Sequence, residues 1–489
     1  MTAAELGVAD ASAALGGRSV SALELAEACL ARIRERDGAF GAWKHVDDEA
    51  VLAAARHADR RRAAGEAGPL LGIPIALKDV IGVAGSPLTA GSALLHGNVA
   101  TDDATAWRRL RDAGMVLLGH VTCGELSCGT WGSNPWSPAF SPGGSSSGSA
   151  IAVATRTAPA ALGTDSRGSI RIPAGFNGVT GMKPSFGLVS TAGCIPIAYS
   201  YDTVGPLARS AADCAMLLDV LSGRDAADPA TLAQPVPAAD RAAATPLARA
   251  RVGVPQDLDA LLTPGVAAVF GRFCAELADS GATVVPIGRL PPALSDAAVA
   301  TILAGEALAI HAQFAGREQL HRAEFGEHFG PLAERVGSAV DYVHAQMARA
   351  ELAAAWRDIF ATQRLDAVVE PGVTGDIWRA GEPLALDEHP WRFGTWNDAN
   401  FPVLMLPAGI NPDDGGPVGI QVVGLPFRDA ALLRIGIDYQ AATTHHLAEP
   451  PGLAQLAELD AYVPTDMPDG GPQPAYVAPP HPFDAFVVR

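Results

Sequence analysis

Three stretches of this chain carry groups able to attack a carbonyl, take a proton or hold a developing charge. Residues 163–171 read GTDSRGSIR, with three hydroxyls, two arginines, one aspartate and two glycines in nine positions. A serine nucleophile needs a base and nearby N–H donors for the oxyanion. A tight turn offers consecutive backbone N–H groups as such a nest. Ser166 and Ser169 flank Arg167 and Gly168, so either hydroxyl fits; the same residues also read as a polar turn in which Asp165 pairs with Arg171. Residues 142–150, PGGSSSGSA, read as a flexible linker or as a turn entering a helix with free N–H groups. G-x-x-x-x-G-K-[ST] is absent, which excludes a P-loop. Lys78 ends the run GIPIALK. It either snorkels to water or is desolvated by its apolar neighbours, which lowers its pKa and yields a neutral amine base. Asp79 would oppose that unless strand alternation turns it away.

Other chemistries find less support. No G-x-S-x-G elbow occurs, and His96, His120, His311, His321 and His328 show no diagnostic spacing. A Ser–His–Asp triad is recognised by geometry, so spacing alone does not exclude it. There is no H-E-x-x-H, the six cysteines form no C-x-x-C pair, and His445–His446 is an isolated couple. No metal site is expected, and the cysteines read as reduced, mostly buried thiols.

These groups need a scaffold, and 489 residues that are 48% hydrophobic supply ample core. Only 18% are charged, which argues against wholesale disorder. A formal charge of −18 repels phosphate backbones, so no nucleic-acid partner is expected. The first residues lack a basic start and a long apolar stretch, and no run of 18 apolar residues occurs. The expectation is no secretory signal, no membrane span and a cytoplasmic location.

Residues 21–36 read as a helix opened by a Ser21–Glu24 capping box, and 48–64 as a second helix. The apolar run 68–83 suits a strand buried on both faces, and 105–122 reads as helix, glycine turn and strand. Residues 132–149 are a long polar turn segment, followed by helix and strand into residue 165. Residues 204–223 read as one helix with a glycine stop, and 224–250 as a surface connection. A strand at 251–255, helix–glycine–strand at 264–287, mostly helix over 296–362, a strand at 365–371, a strand pair at 401–410 and 418–425, and a closing helix at 431–443 complete the pattern. Such alternation predicts an α/β protein with one large mixed sheet.

In order, Lys78, the Gly/Ser segment and GTDSRGSIRIPAGFNGVTGMKPSFG resemble the amidase signature family, with further matches at GSNPWSP, YDTVGPLARS and FPVLMLPAGI…VGIQVVGLPF. The resemblance implies an α/β fold with a twisted mixed central sheet flanked by many helices. The implied domain is 1–445, with a catalytic core at 66–225 and a helical pocket region at 296–362; the tail at 446–489 is not covered by the resemblance, and its proline content predicts a segment that wraps the surface or stays mobile. The resemblance implies a Ser–cisSer–Lys triad of Ser169 as nucleophile, Ser145 as bridging serine and Lys78 as base. The backbone N–H groups of Ser166, Arg167, Gly168 and Ser169 would hold the oxyanion. Asp165 and Arg171 would brace the turn, Ser146 would support the network, and Thr164 is read as packing. The substrate pocket would draw on Ser127, Trp131, Ile195, Ile197 and Tyr199, with Phe314 from the helical region. Many family members have glycine where Arg167 stands, so its guanidinium either pairs with a carboxylate or meets a polar acyl group. The implied activity is hydrolysis of a small aryl or alkyl carboxylic amide through an acyl-enzyme, without cofactor or metal. Ester or carbamate hydrolysis is the alternative; a glutaminase subunit of a tRNA-dependent amidotransferase and a dead binding protein are further readings. A homodimer is the expected oligomer.

Overall fold

The computed structural model describes residues 3–232, 244–258, 260–288, 290–382, 392–463 and 476. Most of the Pro-rich tail and part of the 224–250 connection lie outside them. Among the described residues, β1 (Trp43–His45), β2 (Pro74–Lys78), β3 (Val116–Val121), β4 (Ala160–Asp165), β5 (Thr180–Lys183), β6 (Thr203–Ala208), β7 (Arg251–Pro255), β8 (Thr283–Ile287), β9 (Ala367–Pro371), β10 (Val403–Ile410) and β11 (Pro417–Val423) build one sheet. Its order is β1-β3-β2-β4-β6-β5-β10-β11-β9-β7-β8, and it mixes parallel with antiparallel pairs. The expected α/β class with a mixed sheet is what the molecule adopts.

Helices cover both faces: α1 (Val8–Gly16), α2 (Ala22–Phe40), α3 (Asp48–Ala63), α4 (Thr105–Asp112), α5 (Ser147–Ala154), α6 (Arg171–Phe176), α7 (Ala211–Leu221), α8 (Pro264–Asp279), α9 (Asp296–His311), α10 (Ala323–Ala333), α11 (Ala339–Gln363), α12 (Arg392–Asp398) and α13 (Asp429–Ala442). The Ser21–Glu24 capping box is present at the start of α2. By length and composition, Asp296–Phe314 is long and apolar enough to cross a membrane, with mean hydropathy 1.4 and 44% of it buried in the protein. Here α9 packs against α10 and α11, and its Glu306 holds Ser200 and Tyr342 through hydrogen bonds.

Every residue of β2 is buried, as its unbroken apolar sequence requires. It runs parallel to β3 and β4 on either side, so Lys78 and Asp165 finish at the same edge of the sheet. Carboxyl ends of parallel strands are where open α/β sheets place their chemistry.

Residues 204–223 are not one helix. β6 takes the first part and α7 starts only at Ala211. Pro206 lacks the N–H a helix interior needs. The true start is a capping box in which Ser210 Oγ accepts from the Asp213 N–H at 3.1 Å and Asp213 Oδ2 accepts from the Ser210 N–H at 3.2 Å. The short strands β1 and β5 also go beyond the sequence pattern. The polar segment at 132–149 ends earlier than its composition suggests, because Ser147, Gly148 and Ser149 already belong to α5.

Candidate active site

Lys78 is wholly buried at the last position of β2. Its Nζ lies 2.8 Å from Ser145 Oγ and 2.7 Å from Thr164 Oγ1. Burial pushes its amine down to about 8, against the opposing pull of the Asp202 and Asp165 carboxylates. Asp79 does not join them. Its carboxylate faces away and accepts from the Thr89 N–H at 3.0 Å and from the Thr89 hydroxyl, as alternation along an extended chain allows.

Ser145 follows a cis peptide bond from Gly144. Gly143 has φ +67°, and a Cβ on Gly144 would sit 2.0 Å from the Gly129 carbonyl oxygen. Only glycine fits both constraints at this bend. Ser146 is buried, and its Oγ donates to the Thr164 carbonyl at 3.1 Å and accepts from the Thr164 N–H at 3.2 Å. Its N–H donates to the Ser169 carbonyl at 3.2 Å, tying the serine segment to the turn.

Within the turn, Asp165 and Arg171 form a wholly buried ion pair with Nε 3.0 Å from Oδ2 and Nη2 3.1 Å from Oδ1. Arg171 Nη1 also donates to the Phe393 carbonyl at 2.9 Å and to Gln421 Oε1 at 2.7 Å. Asn397 Nδ2 donates to Asp165 Oδ1 at 2.8 Å. Burial alone would raise the Asp165 carboxyl, but the Arg171 guanidinium holds it well below the usual range.

This aspartate corrects the expected oxyanion set. The Gly168 N–H donates to Asp165 Oδ1 at 2.7 Å and the Ile170 N–H to Oδ2 at 3.1 Å. Gly168 is thus spent on holding the turn, which it enters at φ +111°. The Ser166, Arg167 and Ser169 N–H groups have no acceptor among the described residues. Ser169 is half-buried, and its hydroxyl has no hydrogen-bond partner among the described residues.

The Arg167 guanidinium pairs with Asp398 Oδ1 at 3.0 Å, where the Tyr201 hydroxyl also donates at 2.8 Å. A Cβ on Gly394 would meet this guanidinium at 2.0 Å. Of the two readings of Arg167, the structure realises the carboxylate pair.

A small cavity of about 20 Å³ beside Thr164, room for about one water, is walled by Ser127, Ile195, Pro196, Ile197 and Asp202. Three of the five expected pocket residues are therefore together. Trp131 is not with them: its ring stacks under Arg322 at 4.6 Å and faces Tyr462 at 6.5 Å. Tyr199 is 55% exposed. Phe314 is buried against His311, whose Nε2 reaches the Pro196 carbonyl at 3.4 Å.

Two residues escaped the sequence reading. Thr164 is more than packing, because its hydroxyl accepts from Lys78. Asp202 accepts from the Ser166 hydroxyl at one oxygen and from the Ile197 and Ala198 N–H groups at the other, at 2.8 and 3.1 Å. Burial pushes its carboxyl up to about 6. It fastens the cavity wall to the turn that carries Ser169. The antiparallel register Asp165↔Thr203 brings the two together, so recognising β6 would have revealed the pair.

The Amidase family profile matches residues 24–433. A glutamyl-tRNA(Gln) amidotransferase subunit of Ralstonia nicotianae is 39% identical over 490 residues, covering 90% of this chain and 98% of that protein. Among solved structures, the peptide amidase PAM in complex with the competitive inhibitor chymostatin superimposes with TM-score 0.81 at 33% identity, covering 92% of this chain and 100% of that one. A chain from a vestigial protein complex bearing on the origins of an s-triazine catabolic enzyme gives TM-score 0.81 at 28% identity, over 89% of this chain and 98% of that one.

Proposed function

This chain belongs to the amidase signature family of hydrolases acting on amide bonds, and from that premise we propose that it cleaves a small aryl or alkyl carboxylic amide through an acyl-enzyme on Ser169. The observation that carries the reading is the 2.8 Å contact between the buried Lys78 amine and Ser145 Oγ. A neutral amine there donates one N–H to Thr164 and offers its lone pair to the Ser145 proton. Ser145 in turn takes the Ser169 proton as Ser169 Oγ attacks the carbonyl carbon. Negative charge gathers on the carbonyl oxygen, where the open Ser166, Arg167 and Ser169 N–H groups stabilise it. The tetrahedral adduct collapses, the protonated relay supplies a proton to the leaving amine, and water enters by the same route to release the acid.

The surroundings of the turn favour an uncharged acyl group, because the Asp202 carboxylate accepts from the Ser166 hydroxyl and the guanidinium of Arg167 is committed to Asp398. Ser169→Ala and Lys78→Ala are expected to lose at least a thousandfold in kcat with the circular dichroism spectrum unchanged. Mass spectrometry should trap the acyl group on Ser169 in the wild type. Full activity in purified Ser169→Ala protein would sink the reading. Matched aryl amide, ester and carbamate substrates separate the ester and carbamate alternative. The 39% identity to an amidotransferase subunit favours one second reading, a glutaminase that works within a tRNA-dependent complex. Glutamine hydrolysis that appears only on adding partner subunits would replace the first reading with it.

A further inference from the structure

The antiparallel register Asp165↔Thr203 sets Asp202, one residue before β6, beside the end of β4. Thr164 and Asp202 both line the small cavity there. Its volume of about 20 Å³ is too small for a substrate, but it exceeds the roughly 10–15 Å³ that one water needs. A buried water also needs two to four polar partners, and Ser127, Thr164, Asp202 and Thr203 are in the lining. Their bonding capacity is not used up. Thr164 Oγ1 accepts from Lys78 Nζ at 2.7 Å, and its own proton has no acceptor among the described residues. Asp202 Oδ1 accepts from the Ser166 hydroxyl alone among the described residues, and a carboxylate oxygen has room for two donors. Thr203 Oγ1 donates to the Asp165 carbonyl at 2.8 Å, which leaves its lone pairs for another donor.

The charges around the amine single out the same carboxylate. Asp202, Asp165, Cys123 and Cys194 face Lys78. Asp165 is paired with Arg171, and burial keeps both thiols protonated, pushed up to about 12. Asp202 has no bonded cation among the described residues. Its other titratable neighbours are Glu306, held by Ser200 and Tyr342, and the Tyr476 phenol, which burial and Asp202 keep protonated.

We propose that Asp202 is a positioning residue for the base, acting through one ordered water in this cavity that carries a hydrogen-bond chain from the Lys78 amine by way of Thr164 to the Asp202 carboxylate. Every link donates towards the carboxylate. The chain holds one N–H of the neutral amine on Thr164, so the lone pair points at Ser145. When Lys78 takes the proton, the new ammonium is stabilised by the buried negative charge at the far end. No proton leaves along the chain. The proposal rests on the amidase reading above, with Lys78 as base.

The test records kcat/KM against pH on a neutral anilide with the full chain. Asp202→Asn keeps an acceptor for the Ile197 and Ala198 N–H groups and removes the charge. Its rising limb should move about one pH unit lower, because the ammonium loses an opposite charge. Its plateau should fall about fivefold, because the base is weaker. Thr164→Val removes the middle link and should move the limb the same way. In the double variant the limb should sit at the larger single shift, since both substitutions break one chain. A crystal structure of the wild type should show a water within hydrogen-bonding distance of Thr164 Oγ1 and Asp202 Oδ1. A plateau that falls in Asp202→Asn while the limb stays in place would show that Asp202 only holds the cavity wall, and that overturns the proposal. Additive shifts in the double variant, or a dry cavity, overturn it as well. Were Asp202→Asn not to fold, the Thr164→Val limb and the crystal structure decide. Labelling of Ser169 by a fluorophosphonate, with Ser169→Ala as control, separates the two levels. A labelled, turning-over wild type beside unmoved limbs removes this inference alone. A wild type that neither labels nor hydrolyses any anilide removes the amidase reading, and this inference with it.

Discussion

Lys78 is where burial and chemistry conflict most directly. With its amine pushed down to about 8, the proposed base is mostly protonated at pH 7 and becomes competent as pH rises. We expect kcat/KM on a neutral amide to climb with a single ionisation near 8; a profile flat from pH 6 to 9 would exclude Lys78 as the base. The same burial shapes stability. The folded pKa lies below the unfolded value of about 10.4, so between them the unfolded chain binds more protons. The penalty is complete below the folded pKa and fades as pH rises towards the unfolded one. Lys78→Met abolishes that term. Relative to the variant, the wild type should therefore gain on the order of 2–3 kcal/mol between pH 7 and pH 10.5, read from urea denaturation. A stability difference independent of pH would refute the desolvation. At this scale the sequence was informative where a residue's role follows from its own strand, as for Lys78 and the side chain of Asp79. It was blind where the partner comes from a distant element. Asp202, Asp398 and Asn397 meet the turn only through folding, and Trp131, expected at the pocket, packs instead against Arg322 and Tyr462.

Among the elements, the turn between β4 and α6 depends on one buried pair. Asp165 accepts from two backbone N–H groups and two side chains, and Arg171 reaches three further acceptors. Removing one partner of a buried pair leaves an uncompensated charge, which costs roughly 3–5 kcal/mol. Asp165→Ala should lose about that much stability and most activity, whereas a loss below about 1 kcal/mol would show that water or Asn397 replaces the carboxylate. The wild-type contribution is full above the unfolded carboxyl pKa of about 3.9 and declines as pH falls below it towards the depressed folded value. Helix α5 gives a second case. A Cβ on Gly148 would lie 2.6 Å from the Ala42 carbonyl oxygen and from the Thr122 backbone nitrogen. Backbone cannot yield as a side-chain tip can, so Gly148→Ala should shift α5 and with it the Ser145 bend. A drop in kcat larger than the rise in KM is the expected signature, and an unchanged kcat would contradict it. Long periodic helices and apolar runs were legible, as in α2, β2 and the β10–β11 pair. β6 was not, because TVGPLA flows into a helical pattern and only the capping box at Ser210 marks the boundary.

Over the whole molecule, charge and pocket work in the same direction. The chain carries 53 acidic and 35 basic side chains, a formal charge of −18. Such a field lowers the local concentration of anions at the surface and raises that of cations, while leaving neutral molecules alone. The turn that carries Ser169 continues this at short range, since Asp202 is bonded to Ser166 and Arg167 is paired with Asp398. Salt screens the first effect over a Debye length of roughly 10 Å at 0.1 M but leaves the second largely intact. An ionic-strength series from about 0.01 M to about 0.5 M spans that screening range and therefore separates the two. For an amide with an anionic acyl group, kcat/KM should rise several-fold with salt yet stay far below that of its neutral analogue. For the neutral analogue it should stay within about twofold, because no net charge is steered. An anionic substrate that matches the neutral one at high salt would mean the pocket itself accepts negative charge. In that case Arg167, not the acidic surface, governs selection, and Arg167→Gly should then abolish the anionic activity while sparing the neutral one.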